Sequence, residues 1–254
     1  MDKQRRQYEV PPVQEALCHF TFSEPLGWNM TTPGLMYQKI SKEYPAEPAQ
    51  QEQIQASVGI NPENSETAGF SLNRGPVRAV FKNSTGKKLL LLDAHSFSVN
   101  SLPSYEGWES LFRRASDAFD ALHELRILTP VKRVAIRYIN KISLPVNELG
   151  TDLQDYFNLP VIPFQSEQSV IAAFIHRVES FLPEKNATAI VTFGSSQDDD
   201  GGTGAAFILD IEVYRDGGEG WTKDQALDVA DELKSYESAE FETLITDSTR
   251  ELFK

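Results

Sequence analysis

Cysteine and long apolar segments are scarce in this sequence, and both shortages limit the protein classes it can belong to. Cys18 is the single cysteine among 254 residues, so no internal disulfide can form. Secreted proteins commonly rely on paired cysteines, so their absence here favours a reducing compartment. The longest apolar runs, such as residues 89–92, fall far short of the roughly 18 residues that span a bilayer. The charged N-terminus has no signal-peptide pattern. A cytoplasmic protein without membrane contact is therefore expected.

Positive charge is also in deficit. The chain has 24 Lys and Arg residues against 37 Asp and Glu residues, giving a formal net charge of -13. This balance disfavours binding of the whole chain to a nucleic-acid backbone. Much of the acidity lies in residues 198–200 and 224–251. Acidic surfaces commonly serve solubility, and the alternative is a surface that docks a basic partner or mimics nucleic acid.

Signatures of catalysis and of metal binding are missing from the sequence. It contains no G-x-S-x-G elbow, no His-x-x-x-His pair and no paired cysteines. Cys18 is predicted on the apolar face of a strand, where a thiol is usually inert. Asp93 and His95 are predicted to share a strand face and could supply half a metal site. The glycine-rich residues 201–204 lack a P-loop lysine and predict a hairpin loop. No metal or cofactor is expected.

Residue periodicity predicts a mixture of strands and helices. Alternating apolar residues predict strands at Val13–Phe22 and Val131–Leu144, a hairpin of residues 77–81 with 88–99, and later strands at 170–181, 187–193 and 205–214. A polar loop is predicted at 61–67. Helical spacing predicts helices beginning at Pro33, at residues 104–128, at 151–157, and at 222–253 as one long acidic helix or a broken pair.

The order of these elements suggests an internal duplication. Apolar positions match at an offset of 118 residues: Ala16, Cys18 and Phe20 against Val134, Ile136 and Tyr138. The tripeptide Glu106-Gly107-Trp108 recurs as Glu219-Gly220-Trp221. We therefore expect an α+β fold with a polar tail (1–10) and two strand-helix-strands-helix halves (11–129 and 130–254). Curved antiparallel sheets would be covered by long helices on one face, by analogy with the saddle of TATA-binding-protein-like folds.

Four segments carry a family resemblance that spans nearly the whole chain. They are PPVQEALCHFTFSEP at 11–25, PGLMYQKISKEYP at 33–45, FSVNSLPSYEGWESL at 97–111 and FETLITDSTRELF at 241–253. Together they resemble a sporadically distributed family of bacterial proteins of similar length and uncharacterised function. The resemblance implies a bacterial, cytosolic protein. Sporadic distribution is typical of accessory genes, such as those of anti-phage defence or toxin–antitoxin systems. The resemblance implies no catalytic residues.

The polar face of the sheet is the candidate binding site. Under the 118-residue offset, two residues of the first strand correspond to two arginines of the second, and a lysine extends the basic row: Glu15, His19, Arg133, Arg137 and Lys141. Arg177, Asp210 and Glu212 are expected nearby. One interpretation is cross-strand ion pairing on a solvated face. The other is a surface for a ligand or partner, with the arginines binding an anion.

A non-enzymatic protein-binding, regulatory or accessory protein is the favoured function. Its partner would be a cognate protein of the same operon or a second copy of the chain. The alternative is a nucleic-acid-processing or hydrolytic enzyme that uses the polar face, with His19, Asp93 or His95 acting beside Arg133 or Arg137. Binding of nucleic acid without catalysis is a third interpretation, which the net charge disfavours.

Overall fold

One antiparallel sheet of nine strands organises the molecule. The computed structural model describes residues 6–60, 68–144, 153–159, 173–196 and 205–254, with the backbone alone over 52–60 and 68–76. The strands are β1 (Val13–Phe22), β2 (Ala49–Ile60), β3 (Ala68–Lys82), β4 (Lys88–Leu92), β5 (Ser96–Ser101), β6 (Val131–Leu144), β7 (Ile175–Leu182), β8 (Ala187–Ser196) and β9 (Ala205–Trp221). Their order in the sheet is β2-β3-β4-β5-β1-β6-β9-β8-β7.

The predicted saddle of two repeated halves is wrong. All nine strands form a single sheet, in which β1 pairs directly with β6. The two parts of the chain also differ in content, since five of the described strands precede residue 130 and four follow it. The recurring tripeptides do each lie at the start of a long helix, but Trp108 is the first residue of its helix, whereas Trp221 is the last residue of β9 and precedes the N-cap of the next helix.

In the described parts of the chain, four helices accompany the sheet: α1 (Thr32–Ile40), α2 (Trp108–Glu124), α3 (Lys223–Leu244) and α4 (Asp247–Glu251). Short 3-10 turns occur at Leu153–Asp155 and Pro183–Lys185. The helix predicted at 104–128 is shorter at both ends. Gly107 precedes it with a φ of 94°, and Arg126 follows it in the left-handed region with a φ of 58°. The predicted broken pair at the C-terminus is confirmed as α3 and α4.

A single apolar core lies between one sheet face and the helices. Phe20 and Phe97 stack at 4.9 Å between ring centroids, and Phe119 of α2 meets both rings edge-on. On β1 and β6 the buried positions alternate, which matches the predicted strand periodicity. The thiol of Cys18 is fully buried in this core. The side chains of β1, β6 and β9 that point away from the helices therefore form the opposite face.

The segment predicted as one strand over residues 88–99 is two strands. β4 and β5 form a tight hairpin in which Leu92 pairs with Phe97. Asp93 makes the turn, because its carboxylate accepts hydrogen bonds from the backbone amides of His95 at 2.7 Å and Ser96 at 2.9 Å. Asp93 and His95 therefore belong to a turn, and the predicted strand face that would have joined them does not exist.

Several predicted features lie outside the described residues. They are the polar loop at 61–67, the glycine-rich loop at 201–204 with the aspartates at 198–200, and the first residues of the elements predicted from 151 and from 170. Among the helices of the described segments, none combines the length and the hydropathy needed to cross a membrane.

A buried arginine joins α2 to the sheet. The side chain of Arg114 is fully enclosed and donates to the Glu106 carboxylate at 2.5 Å, to the Tyr44 hydroxyl at 3.0 Å and to the carbonyl oxygen of Asn100 at 3.2 Å. Lys88 forms a second ion pair with Glu106. A buried guanidinium is tolerated only when it is paired in this way. The cluster therefore fixes α2 against β4 and β5.

Replacing Glu106 with Gln should destabilise the protein at neutral pH. The variant leaves the Arg114 charge buried without a counter-charge, so we expect the free energy of unfolding to fall by about 3 kcal/mol. Burial raises the pKa of Glu106, but the hydrogen bond from Lys88 and the charge of Arg114 outweigh it, and the net pKa is lowered. Its stabilisation is complete above the unfolded-state pKa of about 4.3 and disappears as the pH falls through the lowered folded-state pKa.

Urea unfolding at a series of pH values measures this effect. The difference between the natural protein and Glu106→Gln should shrink as the pH falls below about 4. Glu109→Gln is the matched control, since Glu109 is exposed in the first turn of α2. Its effect should stay below about 1 kcal/mol. Equal effects of the two variants would refute a stabilising role of the Glu106–Arg114 pair.

Candidate functional site

The sheet face opposite the helices, which we term the open face, holds the residues singled out from the sequence. Cross-strand pairing aligns its side chains in rows that run across β1, β6, β9 and β8. The rows are Glu15, Ile139, Asp210 and Thr192; Leu17, Arg137, Glu212 and Ile190; and His19, Ala135, Tyr214 and Thr188. Four of the five predicted site residues lie in or beside these rows, and Lys141 extends the face along β6 opposite Ile208.

A ladder of ion pairs between β6 and β9 dominates the open face. Arg133 binds Asp216 through Nε at 2.5 Å and Nη2 at 2.8 Å. Arg137 binds Asp210 in the same bidentate way, at 2.9 and 2.7 Å. Glu212 lies between the two pairs, directly opposite Arg137. These five side chains, which we call the charge ladder, carry three carboxylates against two guanidinium groups.

The electrostatics of the charge ladder raise the pKa of both arginines. The hydrogen bond to Asp216 is the largest cause of the raised pKa of Arg133, and the bond to Asp210 plays the same part for Arg137. The charge of Glu212 raises the pKa of both arginines further. The Arg133 guanidinium also lies 4.3 Å from the ring centroid of Tyr214, a cation–π contact. The two arginines of the predicted basic row are thus compensated by carboxylates of β9.

His19 is partly buried beside the charge ladder. Its Nε2 lies 3.3 Å from the hydroxyl of Thr21. Burial lowers the pKa of His19 below its usual value, and the nearby positive charges of Arg133 and Arg78 add to this lowering, while the charge of Asp93 opposes it. The ring is consequently neutral at neutral pH, in which state one nitrogen donates and the other accepts a hydrogen bond.

Glu15 and Lys141 have different surroundings. The Glu15 carboxylate accepts a hydrogen bond from the side-chain amide of Asn100 at 2.6 Å, and Asn100 in turn accepts one from Ser98 at 2.9 Å. The charge of Glu15 contributes to the raised pKa of Arg137, so these two predicted residues interact. The backbone amide of Lys141 donates to Pro12 at 2.9 Å, which holds the N-terminal segment against β6.

The other chemical candidates have structural roles or lie apart from one another. Burial raises the pKa of the Cys18 thiol well above its usual value, which disfavours the reactive thiolate. The Asp93 carboxylate is occupied by the turn amides, and His95 is exposed in that turn. Within the described parts of the chain, no group of three or more His, Cys, Asp or Glu side chains is placed to hold a metal ion.

Sequence reasoning found the arginines and anticipated Asp210 and Glu212, but it missed Asp216, Tyr214 and Asn100. Asp216 was missed because the predicted strand ended at residue 214, whereas β9 continues to Trp221. The alternation of polar residues from 210 to 216 was the available signal. Asn100 was missed because the predicted strand ended at residue 99, whereas β5 continues to Ser101 and pairs there with β1.

No protein-family model matches the chain, and no curated protein sequence is significantly similar to it. The geometry of the open face is therefore the basis for the functional conclusion.

The lowered pKa of His19 can be measured directly. Titration of the ring C–H resonances by NMR should give His19 a pKa below the usual 6.5. Arg133→Gln should raise this pKa towards the usual value, because it removes a nearby positive charge and leaves Asp216 uncompensated.

Arg113→Gln is the matched control for this titration, since Arg113 lies on α2 and pairs there with Asp117. It should leave the His19 titration unchanged. If Arg133→Gln does not raise the pKa of His19, the described proximity of the imidazole and the charge ladder is incorrect.

Proposed function

We propose that the chain is a non-enzymatic regulatory or accessory protein that binds a basic protein partner through its open face. The observation that carries the proposal is the excess carboxylate of the charge ladder. Asp210 and Asp216 are each engaged by an arginine in two hydrogen bonds. Glu212 accepts no hydrogen bond from another side chain among the described residues, and it remains available to a lysine or arginine of a partner.

The charge of the whole molecule supports a basic partner. A formal net charge of -13 attracts positively charged proteins over a distance set by the ionic strength and accelerates their association. The same field repels nucleic acid. A phosphate group would in addition have to displace Asp210 or Asp216 from an arginine that already makes two charge-assisted hydrogen bonds. The charge ladder therefore favours a protein over a polyanion.

Apolar side chains beside the charge ladder support a protein–protein contact. The half-buried Leu17 lies opposite Arg137 on β1, and the Tyr214 ring is stacked under the Arg133 guanidinium. Tyrosine and arginine are enriched in protein interfaces, where apolar contact at the centre is combined with polar groups around it. Because the strands hold these groups on a rigid sheet, little ordering is required on binding.

The family resemblance suggests where the partner is encoded. Accessory bacterial proteins of defence or toxin–antitoxin systems commonly act on a cognate protein of the same operon. A basic protein encoded beside this chain is therefore the first candidate.

A photo-crosslinking amino acid at position 17, which is partly exposed in the same row as Arg137 and Glu212, tests the proposal in the native cell. The crosslinked protein, identified by mass spectrometry, should be basic. With that partner purified, Glu212→Lys should raise the dissociation constant at least about tenfold, because it places a like charge against the partner.

Asp228→Lys is the matched control, since it makes the same change in net charge at an exposed position of α3 on the other side of the molecule. It should leave the dissociation constant within about twofold once the salt concentration is fixed. Capture of no protein by the probe at 17, or equal weakening by both variants, would contradict the proposal. Crosslinking to nucleic acid in place of a protein would favour the enzymatic or nucleic-acid interpretation.

A further inference from the structure

The strand at one end of the sheet is unusually exposed. β7 (Ile175–Leu182) is the terminal strand of the described sheet and pairs with β8 on one side only. Its apolar side chains are open to solvent: Ile175 is 80% exposed, Phe181 61% and Val178 43%. The strand contains no proline and no lysine, the residues that commonly protect an edge from pairing with another chain. Such an edge is a template for strand addition.

The hydrogen-bonding groups that face outward can be assigned. The carbonyl oxygen of Phe174 accepts a hydrogen bond from the Ser195 amide of β8 at 3.1 Å. Along an antiparallel strand, the backbone groups of alternate residues point to opposite sides. Residues 176, 178, 180 and 182 therefore bond to β8, like Phe174, and the amides and carbonyls of 175, 177, 179 and 181 point away from the sheet.

The sequence of β7 is complementary to itself in one antiparallel register. When Val178 lies opposite Val178 of a second copy, Arg177 faces Glu179 twice and Ile175 faces Phe181 twice. These four pairs involve the residues whose backbone groups point outward, so each pair can exchange two hydrogen bonds. Opposite charges and apolar pairs directly across from one another both stabilise a sheet.

Neighbouring registers are disfavoured. Centring the pairing on Arg177 or on Glu179 places like charges opposite each other, which destabilises a sheet. A register centred between two residues would pair residues of the open face with residues of the helix-covered face. The pleat of a continuous sheet forbids such pairs. Charge complementarity and the pleat thus favour the register centred on Val178 over its immediate neighbours.

We propose that the chain forms a two-fold symmetric dimer in which β7 of one copy pairs antiparallel with β7 of the other in the register centred on Val178. The two nine-stranded sheets then form one continuous sheet. This interface is separate from the binding of a basic partner through the open face, and it rests on the exposure and the sequence of β7 alone. It is isologous, as in most symmetric dimers.

Charge exchange tests the pairing. The natural protein should sediment at twice the monomer mass of 28.5 kDa. Arg177→Glu and Glu179→Arg should each raise the dimer dissociation constant at least about tenfold, because each converts both salt pairs into like-charge pairs. The double variant, Arg177→Glu with Glu179→Arg, should restore dimerisation. Circular dichroism checks that the variants fold.

An engineered disulfide between the two copies of β7 tests the register directly. In the proposed register Val178 lies opposite its symmetry mate in a pair without hydrogen bonds, where Cα atoms are about 4.5 Å apart and a disulfide can form. Oxidised Val178→Cys should therefore be a covalent dimer. Ser180→Cys is the matched control, because its mate would lie four strand positions away, about 13 Å. The buried Cys18 cannot compete.

Each outcome bears on the proposal. A natural protein that is monomeric at about 100 μM, a concentration at which most specific dimers persist, would overturn it. So would a dimer that neither charge variant weakens, or one that Ser180→Cys crosslinks as well as Val178→Cys. Glu212→Lys should leave the mass unchanged, so failure of the dimer and failure of partner binding are distinguishable.

Discussion

The pairing of β1 with β6 is the constraint on which the rest of the structure depends. It joins the strands that come before residue 130 to those that follow, and its register places Cys18 opposite Ile136 in the core and Leu17 opposite Arg137 on the open face. A slip of one residue would turn Arg133 and Arg137 into the apolar core. The cost of burying two unpaired guanidinium groups excludes that alternative. The same register therefore specifies the core and the charge ladder.

Polar contacts on the helix side reinforce this pairing. The Lys234 ammonium of α3 lies 3.8 Å from the ring centroid of Tyr138 on β6 and 2.5 Å from the Glu237 carboxylate. The Tyr138 hydroxyl contacts that of Tyr105 at 2.6 Å. Buried charges are stabilising only when their partners are correctly placed, so this cluster specifies one position of α3 on β6.

Local periodicity predicted both β1 and β6, because the alternation of buried and exposed residues is a property of each strand alone. The single strand over 88–99 was wrong, since apolar residues continue on both sides of a turn that the Asp93 carboxylate makes. The repeated halves were wrong for a related reason. Matching residues at an offset of 118 indicated similar strands, whereas the adjacency of β1 and β6 in one sheet is a long-range contact that no local pattern reports.

The site was predicted in part, and its chemistry changed when the partners of the arginines became visible. Arg133 and Arg137 alone suggest an anion site; with Asp216 and Asp210 bound to them, the surplus charge is the carboxylate of Glu212. Pairing at β7 would leave the charge ladder uncovered, since it joins the two sheets edge to edge and the ladder lies on β6 and β9. A two-fold axis perpendicular to the sheet leaves each face on its own side, so both charge ladders would face the same direction. A partner that is itself dimeric could then engage two ladders at once and gain affinity without any new type of contact.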